Sequence, residues 1–356
     1  MPGVLTRYLA ATTGRSMIVV ALVLTGLYLS VDLVREAGDI EGGYGPAQVA
    51  LYLLRTLPAR LYDLFPYAAL IGGMLALGQL SARRELVAMR VCGFHNGRIV
   101  TRVLAVALLF GLVVMLVGER LAPELELDAR IDREQARSGQ VGGAHGRALW
   151  LRDGAWMVHV GLLVWEDDER VAFADLRFYR VEQPGRIETV IHADSARHVA
   201  GQWRLDAVTR LDPDTGQVQR LADRFRMDSE IAGDVFRALA TRPRLLPIDD
   251  IQRIRAYLEA NGQDDTAYVQ AFWRRVLYPV NTLAMLFSGL ALLLGTARRL
   301  PPVAGVFAGV SIGMAFVVIH RIVLGTAPVL PVPVGVTHMV PAMVFAGLGA
   351  VLLRRR

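Results

Sequence analysis

Glu85 sits among Arg83, Arg84 and Arg90 in the run Ser81-Ala82-Arg83-Arg84-Glu85-Leu86-Val87-Ala88-Met89-Arg90-Val91-Cys92-Gly93, a polar island between the apolar runs Leu64 to Leu80 and Ile99 to Val117. Charges this dense cannot sit in lipid, so the island belongs at a membrane face. Leu86, Met89 and Val91, with Val87 between them, recur at helical spacing, and the arginines fall on the other side. The pattern predicts a short helix lying along the membrane surface or pressed into a protein partner, ended by Gly93. An ordinary basic loop has the same composition. In that case Glu85 pairs with Arg84 or Arg90 for under about 1 kcal/mol.

A second set of residues suits phosphate. Arg130, Arg133 and Arg137 share a face at i, i+3, i+7 spacing, and Arg35 follows the first apolar run. Arginine binds phosphate in bidentate fashion, although Asp128, Asp132 and Glu134 lie near enough to neutralise the stripe locally. His320-Arg321 is a polar pair inside another apolar run, where apolar residues would cost less. A third set, His145, His159, His192 and His198 with Asp153, Asp194 and Ser195, holds the parts of a hydrolase. It lacks a His-Glu-x-x-His or Gly-x-Ser-x-Gly setting, so surface histidines are the better reading.

The elements that must position these residues are mostly membrane spans. Of 356 residues 53% are hydrophobic, and the mean hydropathy of +0.37 is that of an integral membrane protein. All 39 basic residues are arginine, and the formal net charge is +6. The arginines cluster beside apolar runs, which fits membrane orientation better than nucleic-acid binding. The single cysteine, Cys92, excludes an internal disulfide and a cysteine metal cluster. No Gly-x-x-x-x-Gly-Lys-Ser/Thr is present to hold a nucleotide.

Six spans are expected, at roughly 20 residues each: Ser16 to Val34, Leu64 to Leu80, Ile99 to Val117, Val269 to Gly295 with a kink at Pro279, Val303 to Val323, and Val334 to Leu353. Val4 to Arg15 and Gln48 to Arg60 read as amphipathic interfacial helices. No small-residue cleavage site follows the first apolar run, so it is not a typical cleavable signal peptide. After the charged helix Leu121 to Arg137 come short alternating runs separated by Asp153-Gly154, Pro184-Gly185, Gly201 and Asp212-Pro213-Asp214-Thr215-Gly216. They predict a sandwich or open barrel. Pro247 to Ala260 is a helix closed by Asn261-Gly262. The domains expected are thus 1–120, 121–262 and 263–356, with the short helix at 81–93. Arg83, Arg84, Arg90, Arg98 and Arg102, then Arg298 and Arg299, then Arg354, Arg355 and Arg356 fall on one side of the membrane. That side is expected to be cytoplasmic, with both termini, and the strand-rich block outside.

The pattern Ser81-x-x-x-Glu85-Leu86-x-x-Met89-x-x-x-Gly93 after the Gly-rich span Gly72 to Gly78 resembles the lipopolysaccharide export permeases LptF and LptG. Gly3-Val4-Leu5-x-Arg7-Tyr8, Leu64-Phe65-Pro66-x-Ala68-Ala69-Leu70, Gly118-Glu119-Arg120-Leu121-Ala122-Pro123 and Asn261-Gly262-Gln263-Asp264 are similar to the family at corresponding points. Glu85-Leu86-Val87 resembles the LptG branch more than LptF, where Glu-Ile-Thr is expected.

The resemblance implies an α-helical integral membrane protein of the bacterial inner membrane. It would have six transmembrane helices and a periplasmic β-jellyroll-like domain inserted between the third and fourth. It implies a heterodimer with the sister permease, LptF, above an LptB ATPase dimer that binds ATP and Mg; this chain binds no cofactor and no metal. Arg84, Glu85, Leu86, Val87, Met89, Arg90 and Gly93 would form the coupling helix in the ATPase groove, where truncating Glu85 should cost a few kcal/mol of docking. Lipopolysaccharide would leave the membrane through a central cavity and pass toward LptC and LptA. Leu24, Leu27 and Val31 on the first span, Phe65, Ala69 and Gly72 on the second, and Ile312, Phe316 and Ile319 on the fifth are candidates for the acyl-chain wall, although plain lipid-facing or helix-packing surface is as good a reading of each. Arg35, Arg133, Arg137 and Arg321 are candidates for the phosphates. A basic pair is common in the family after the first span; here it is Arg35-Glu36. The alternatives are the sister subunit LptF of the same family, a membrane-anchored hydrolase, and a scaffold or receptor with an outer sensor domain.

Overall fold

A computed structural model describes residues 2–40, 43–138, 149–167, 170–183, 186–199, 201–213, 215–229, 231, 235, 239, 243, 246–296, 302–326 and 332–354. Gly42, His145, the Pro184-Gly185 turn, Asp214, Arg298, Arg299, Arg355 and Arg356 lie outside the described residues. Among the described residues ten helices and six strands follow in chain order. The chain divides into two compact units: Met1–Gly38, Ala50–Glu126 and Val269–Arg356, and then Asp39–Val49 with Leu127–Tyr268.

The first unit is helical. α1 (Pro2–Ala37) and α2 (Pro46–Ala82) are each continuous. The sequence reading divided both into an interfacial helix and a span. Nothing at Arg15-Ser16 breaks the backbone pattern, so α1 runs on for about 54 Å at 1.5 Å per residue. Pro58 and Pro66 lie inside α2 without ending it, as membrane helices allow when neighbours satisfy the freed carbonyls. α3 (Glu85–Val91) and α4 (Asn96–Arg120) follow, and α5 (Ala122–Ser138) continues from α4 across Leu121.

After the insert come α7 (Thr266–Val276), α8 (Tyr278–Thr296), α9 (Pro302–Thr326) and α10 (Val334–Arg354). α7 and α8 meet at 56° around Leu277. The kink expected at Pro279 is this break: a proline there has no N–H for the Arg275 carbonyl and crowds it. Five described helices are long and apolar enough to cross a membrane, six when the bent pair counts as one.

Leu70, Met74 and Leu77 of α2 pack with Ile99 and Val103 of α4 and Leu286, Leu290 and Leu294 of α8. α1 closes on this core at Gly72, where a Cβ would lie 2.6 Å from Met17 Cα. The Gly-rich span thus serves close helix approach, the usual driving contact where lipid removes the hydrophobic advantage.

The second unit carries one antiparallel sheet: β1 (Leu149–Asp153), β2 (Trp156–Asp167), β3 (Arg170–Gln183), β4 (Arg186–Val199), β5 (Gln202–Leu211) and β6 (Val218–Asp228). Strand order is sequential. The described strands therefore form a meander rather than the crossed order of two Greek keys. The sheet nevertheless folds over on itself. Pairing steps over Gly161, Asp175, Asp194 and Ala207 in one transverse line, and Asp175 and Ala207 have φ of 53° and 54°. Buried positions change parity across that line: Phe173 against Leu176 and Phe178, Ile191 and Ala193 against Ala196, Trp203 and Leu205 against Val208. Bends of this kind let strands pass from one layer to another. A Cβ at Gly161 would lie 2.9 Å from the Asp175 carboxylate, so the crease needs glycine there.

The fold brings the two far ends of the sheet together: Trp203 Nε1 donates to Asp153 Oδ2 at 2.7 Å, and its ring meets Phe173 and Phe178 at 5.1 and 5.6 Å. The Ser229 hydroxyl donates to the same Asp153 oxygen at 2.7 Å. α6 (Ile248–Ala260) covers the β1 edge, where the Tyr257 hydroxyl donates to the Arg152 carbonyl at 2.6 Å and accepts from its N–H at 3.1 Å. Burial pushes that phenol up to about 12.

His198 is buried beside Trp203, with ring centroids 5.2 Å apart. Burial holds its imidazole below its ordinary 6.5, although the Asp153 carboxylate pulls the other way. The unfolded chain therefore binds this proton more readily, and the unit loses stability as pH falls below about 6.5. Asp175, held down chiefly by its hydrogen bond from His192, contributes stability that is lost only at much lower pH, below its ordinary 3.8. Melting midpoints of the full-length protein are expected to drop between pH 7 and 5, and to drop less in His198→Gln. Equal slopes in the two proteins would assign the effect elsewhere.

Candidate functional site

Candidate residues gather in two clusters, one in each unit. In the helical unit the site is α3. α2 ends at Ala82, and Arg84 turns the chain in the left-handed region, φ 60°. Leu86 and Met89 are buried in the helical core, while Val87 and Val91 are 58% and 84% exposed. This corrects the sequence reading that placed Val91 on one stripe with Leu86 and Met89. At 100° per residue, Val87 and Val91 form their own stripe, and it faces outward. Gly93, φ 86°, ends the helix as expected: its N–H reaches the Arg90 carbonyl at 3.0 Å, and Phe94 N–H reaches that of Met89 at 2.9 Å. Glu85 is half-buried, and its Oε2 accepts the Tyr8 hydroxyl at 2.8 Å. Arg84 is exposed and Arg90 half-buried. The result is a seven-residue helix held rigidly from behind, tied to α1, with an apolar stripe presented to the outside.

In the second unit Arg133 and Arg137 of α5 converge on Asp39. One oxygen, Asp39 Oδ2, accepts from Arg133 Nη2 at 2.6 Å and Arg137 Nη1 at 3.3 Å. The turn carrying Asp39 is fixed to α5 by buried Tyr44, under the Arg133 guanidinium at 5.9 Å. It also approaches α5 at Gly43, where a Cβ would lie 3.1 Å from the Ala136 carbonyl. Sequence reasoning looked to Asp128, Asp132 and Glu134 for this counter-charge and missed Asp39, 94 residues from Arg133. No local pattern signals it.

The other candidates separate. Arg35 is exposed, with Nη1 3.9 Å from Asp32 Oδ1. Asp32 itself is buried and lies 3.3 Å from Arg60, whose guanidinium sits over the Tyr28 ring at 4.9 Å. Leu27 and Val31 are exposed and Leu24 half-buried on α1. Phe65, Ala69 and Gly72 are instead buried in the chain's own core, and Phe316 is buried there with Ile312 and Ile319 packed beside it. Of the two readings open to these residues, acyl-chain wall or helix packing, their burial matches packing; apolar spacing does not separate a face turned to lipid from one turned to another helix. Arg321 is exposed on α9. Sequence reasoning also missed the buried pair of Arg275 on α7 with Glu119 at the end of α4.

The hydrolase parts do not assemble among the described residues. Asp153 is engaged by Trp203 and Ser229, and His192 lies 3.0 Å from Asp175 and 3.8 Å from Asp194.

Among the described residues, five helices apolar enough to cross a membrane, six with the bent pair counted as one, together with an all-β insert and a short anchored helix, define a multi-pass membrane protein. The family described as "Lipopolysaccharide export system permease LptF/LptG" matches residues 7–355, and the chain belongs to it. The chain is similar to the "Lipopolysaccharide export system permease protein LptG" of Haemophilus influenzae, 26% identical over 362 residues and covering 100% of this chain and 99% of that one. Similarity to the LptG of Escherichia coli strain K12 is 27% over 364 residues, 99% of each. The LptF of the same strain is 23% identical over 177 residues, 49% of this chain and 48% of that one.

Proposed function

We propose that this chain is the LptG-type subunit of an ATP-driven exporter that lifts lipopolysaccharide out of the inner membrane. In this reading it pairs with an LptF-type sister and stands above an LptB-type ATPase dimer, which binds ATP and Mg. Both termini are cytoplasmic, and the β insert lies in the periplasm and hands the lipid toward LptC and LptA. The observation that carries the reading is α3 in a chain of this family. A rigidly backed helix with Val87 and Val91 outward is what a partner groove can push against.

Arg84, Glu85, Leu86, Val87, Met89, Arg90 and Gly93 then divide into two tasks. Val87, Val91 and Arg84 meet the ATPase, whereas Leu86, Met89 and Gly93 hold the helix in place and Glu85 links it to Tyr8 of α1. A stroke delivered at α3 reaches α1 directly through that bond. On α1, Leu24, Leu27 and Val31 present apolar surface to acyl chains. Arg133 and Arg137, with Arg35 and Arg321, supply cations for the lipid phosphates. Phe65, Ala69, Ile312, Phe316 and Ile319 shape this wall from behind by packing.

The test is affinity purification of the chain from native membranes. A sister permease and an ATPase should be retained, with ATP-dependent release of lipopolysaccharide after reconstitution. Recovery of the chain alone, without ATPase activity, would overturn the reading.

A further inference from the structure

Resting on the reading of Arg133 and Arg137 as phosphate ligands, we propose that Asp39 is a built-in competitor for the lipid phosphate. In this role it sets the selectivity of the arginine pair for lipids bearing phosphomonoesters over ordinary phospholipids. A single carboxylate oxygen bridges the two guanidinium groups, 2.6 Å from one and 3.3 Å from the other, as one oxygen of a bound phosphate would. The cluster is reachable from solvent: the side chains of Asp39, Arg133 and Arg137 are 39%, 22% and 33% exposed. Asp39 is also not what holds its turn in place, because Tyr44 is buried against the same surface and Gly43 lies close against α5.

The chemistry then follows from charge. A phosphomonoester carries about −1.5 to −2 near pH 7 and offers three oxygens, so it outcompetes one carboxylate for two arginines. A phospholipid phosphodiester carries a single negative charge, no more than the carboxylate already in place, and gains little by displacing it. Asp39 thus raises the threshold of charge for loading.

The experiment uses the assembled complex in nanodiscs with three probes: bis-phosphorylated lipid A, the same lipid A stripped of phosphate, and phosphatidylglycerol. In Asp39→Asn, the preference for bis-phosphorylated lipid A over phosphatidylglycerol is expected to narrow by about three- to tenfold, the scale of one or two partly exposed ion pairs. Binding of phosphate-free lipid A should not move. An unchanged preference, or equal weakening for all three lipids with a lowered melting midpoint, would make Asp39 a structural tie and overturn the proposal. If wild type itself fails to prefer bis-phosphorylated over phosphate-free lipid A, the phosphate reading falls first and the proposal with it. A preference that is present in wild type, lost in Arg133→Gln/Arg137→Gln and unaltered in Asp39→Asn removes only the proposal.

Discussion

Arg275→Ala is expected to destabilise the helical unit by about 3–5 kcal/mol, the usual result of stripping one partner from a buried ion pair. The Arg275 side chain is 5% exposed and the Glu119 side chain 17%. Alanine would leave the Glu119 carboxylate with its main counter-charge gone at the end of α4. The same place is closed by the stacked rings of Tyr62 and Tyr278, 4.3 Å apart, with the Tyr278 hydroxyl donating to the Tyr62 carbonyl at 2.9 Å. Relaxation to bring water in would break that packing as well. Removing both charges should cost much less, because paired burial of ions is close to break-even against apolar packing. Melting midpoints in detergent for Arg275→Ala and for the Glu119→Gln/Arg275→Met double variant measure both terms. A single variant that melts with wild type would show that the pair holds nothing together.

If the proposed transporter reading holds, Val87→Asp is expected to uncouple this chain from the partner ATPase while leaving the fold intact. Val87 takes no part in the helical core, whereas its neighbours Leu86 and Met89 do. Burying a valine in a partner groove contributes roughly 1.5–3 kcal/mol, and forcing an unpaired carboxylate into the same contact costs further free energy. Docking should therefore weaken by about a hundredfold or more, at 1.4 kcal/mol per tenfold. Co-purification of the ATPase and lipid-stimulated turnover are the readouts, with an unchanged melting midpoint as the control. Leu86→Asp should by contrast lower the melting midpoint, since Leu86 is buried in the core. Wild-type coupling in Val87→Asp would remove the outward stripe of α3 from the docking surface.

Much of this architecture was legible locally. Long apolar runs identify spans because backbone groups in lipid must be satisfied within a helix. The polar island had to leave the membrane, and Gly93 ended its helix for the reason a glycine usually does: the left-handed turn that caps it. Alternating runs and turn residues announced an all-β insert. Proline chemistry marked the break between α7 and α8. The resemblance carried by Glu85-Leu86, Met89 and Gly93 pointed to the right family before any tertiary contact was known.

Local residue patterns were enough to mark which segments are apolar enough to span a membrane, where the β insert falls and where the short surface helix stops, since each depends on neighbours within a turn or two. Which apolar faces are spoken for depends instead on packing between distant segments. Phe65 and Ala69 vanish into the core while Leu27 and Val31 stay open, and lipid is as apolar as a neighbouring helix, so periodicity is blind to the difference. Likewise the partners of the arginines were set by loop closure rather than by local spacing. Asp39 meets Arg137 across 98 residues, and Glu119 meets Arg275 across 156. The crease through Gly161, Asp175, Asp194 and Ala207 exists only because four strands in register bend at one line, so no single strand's alternation could reveal it.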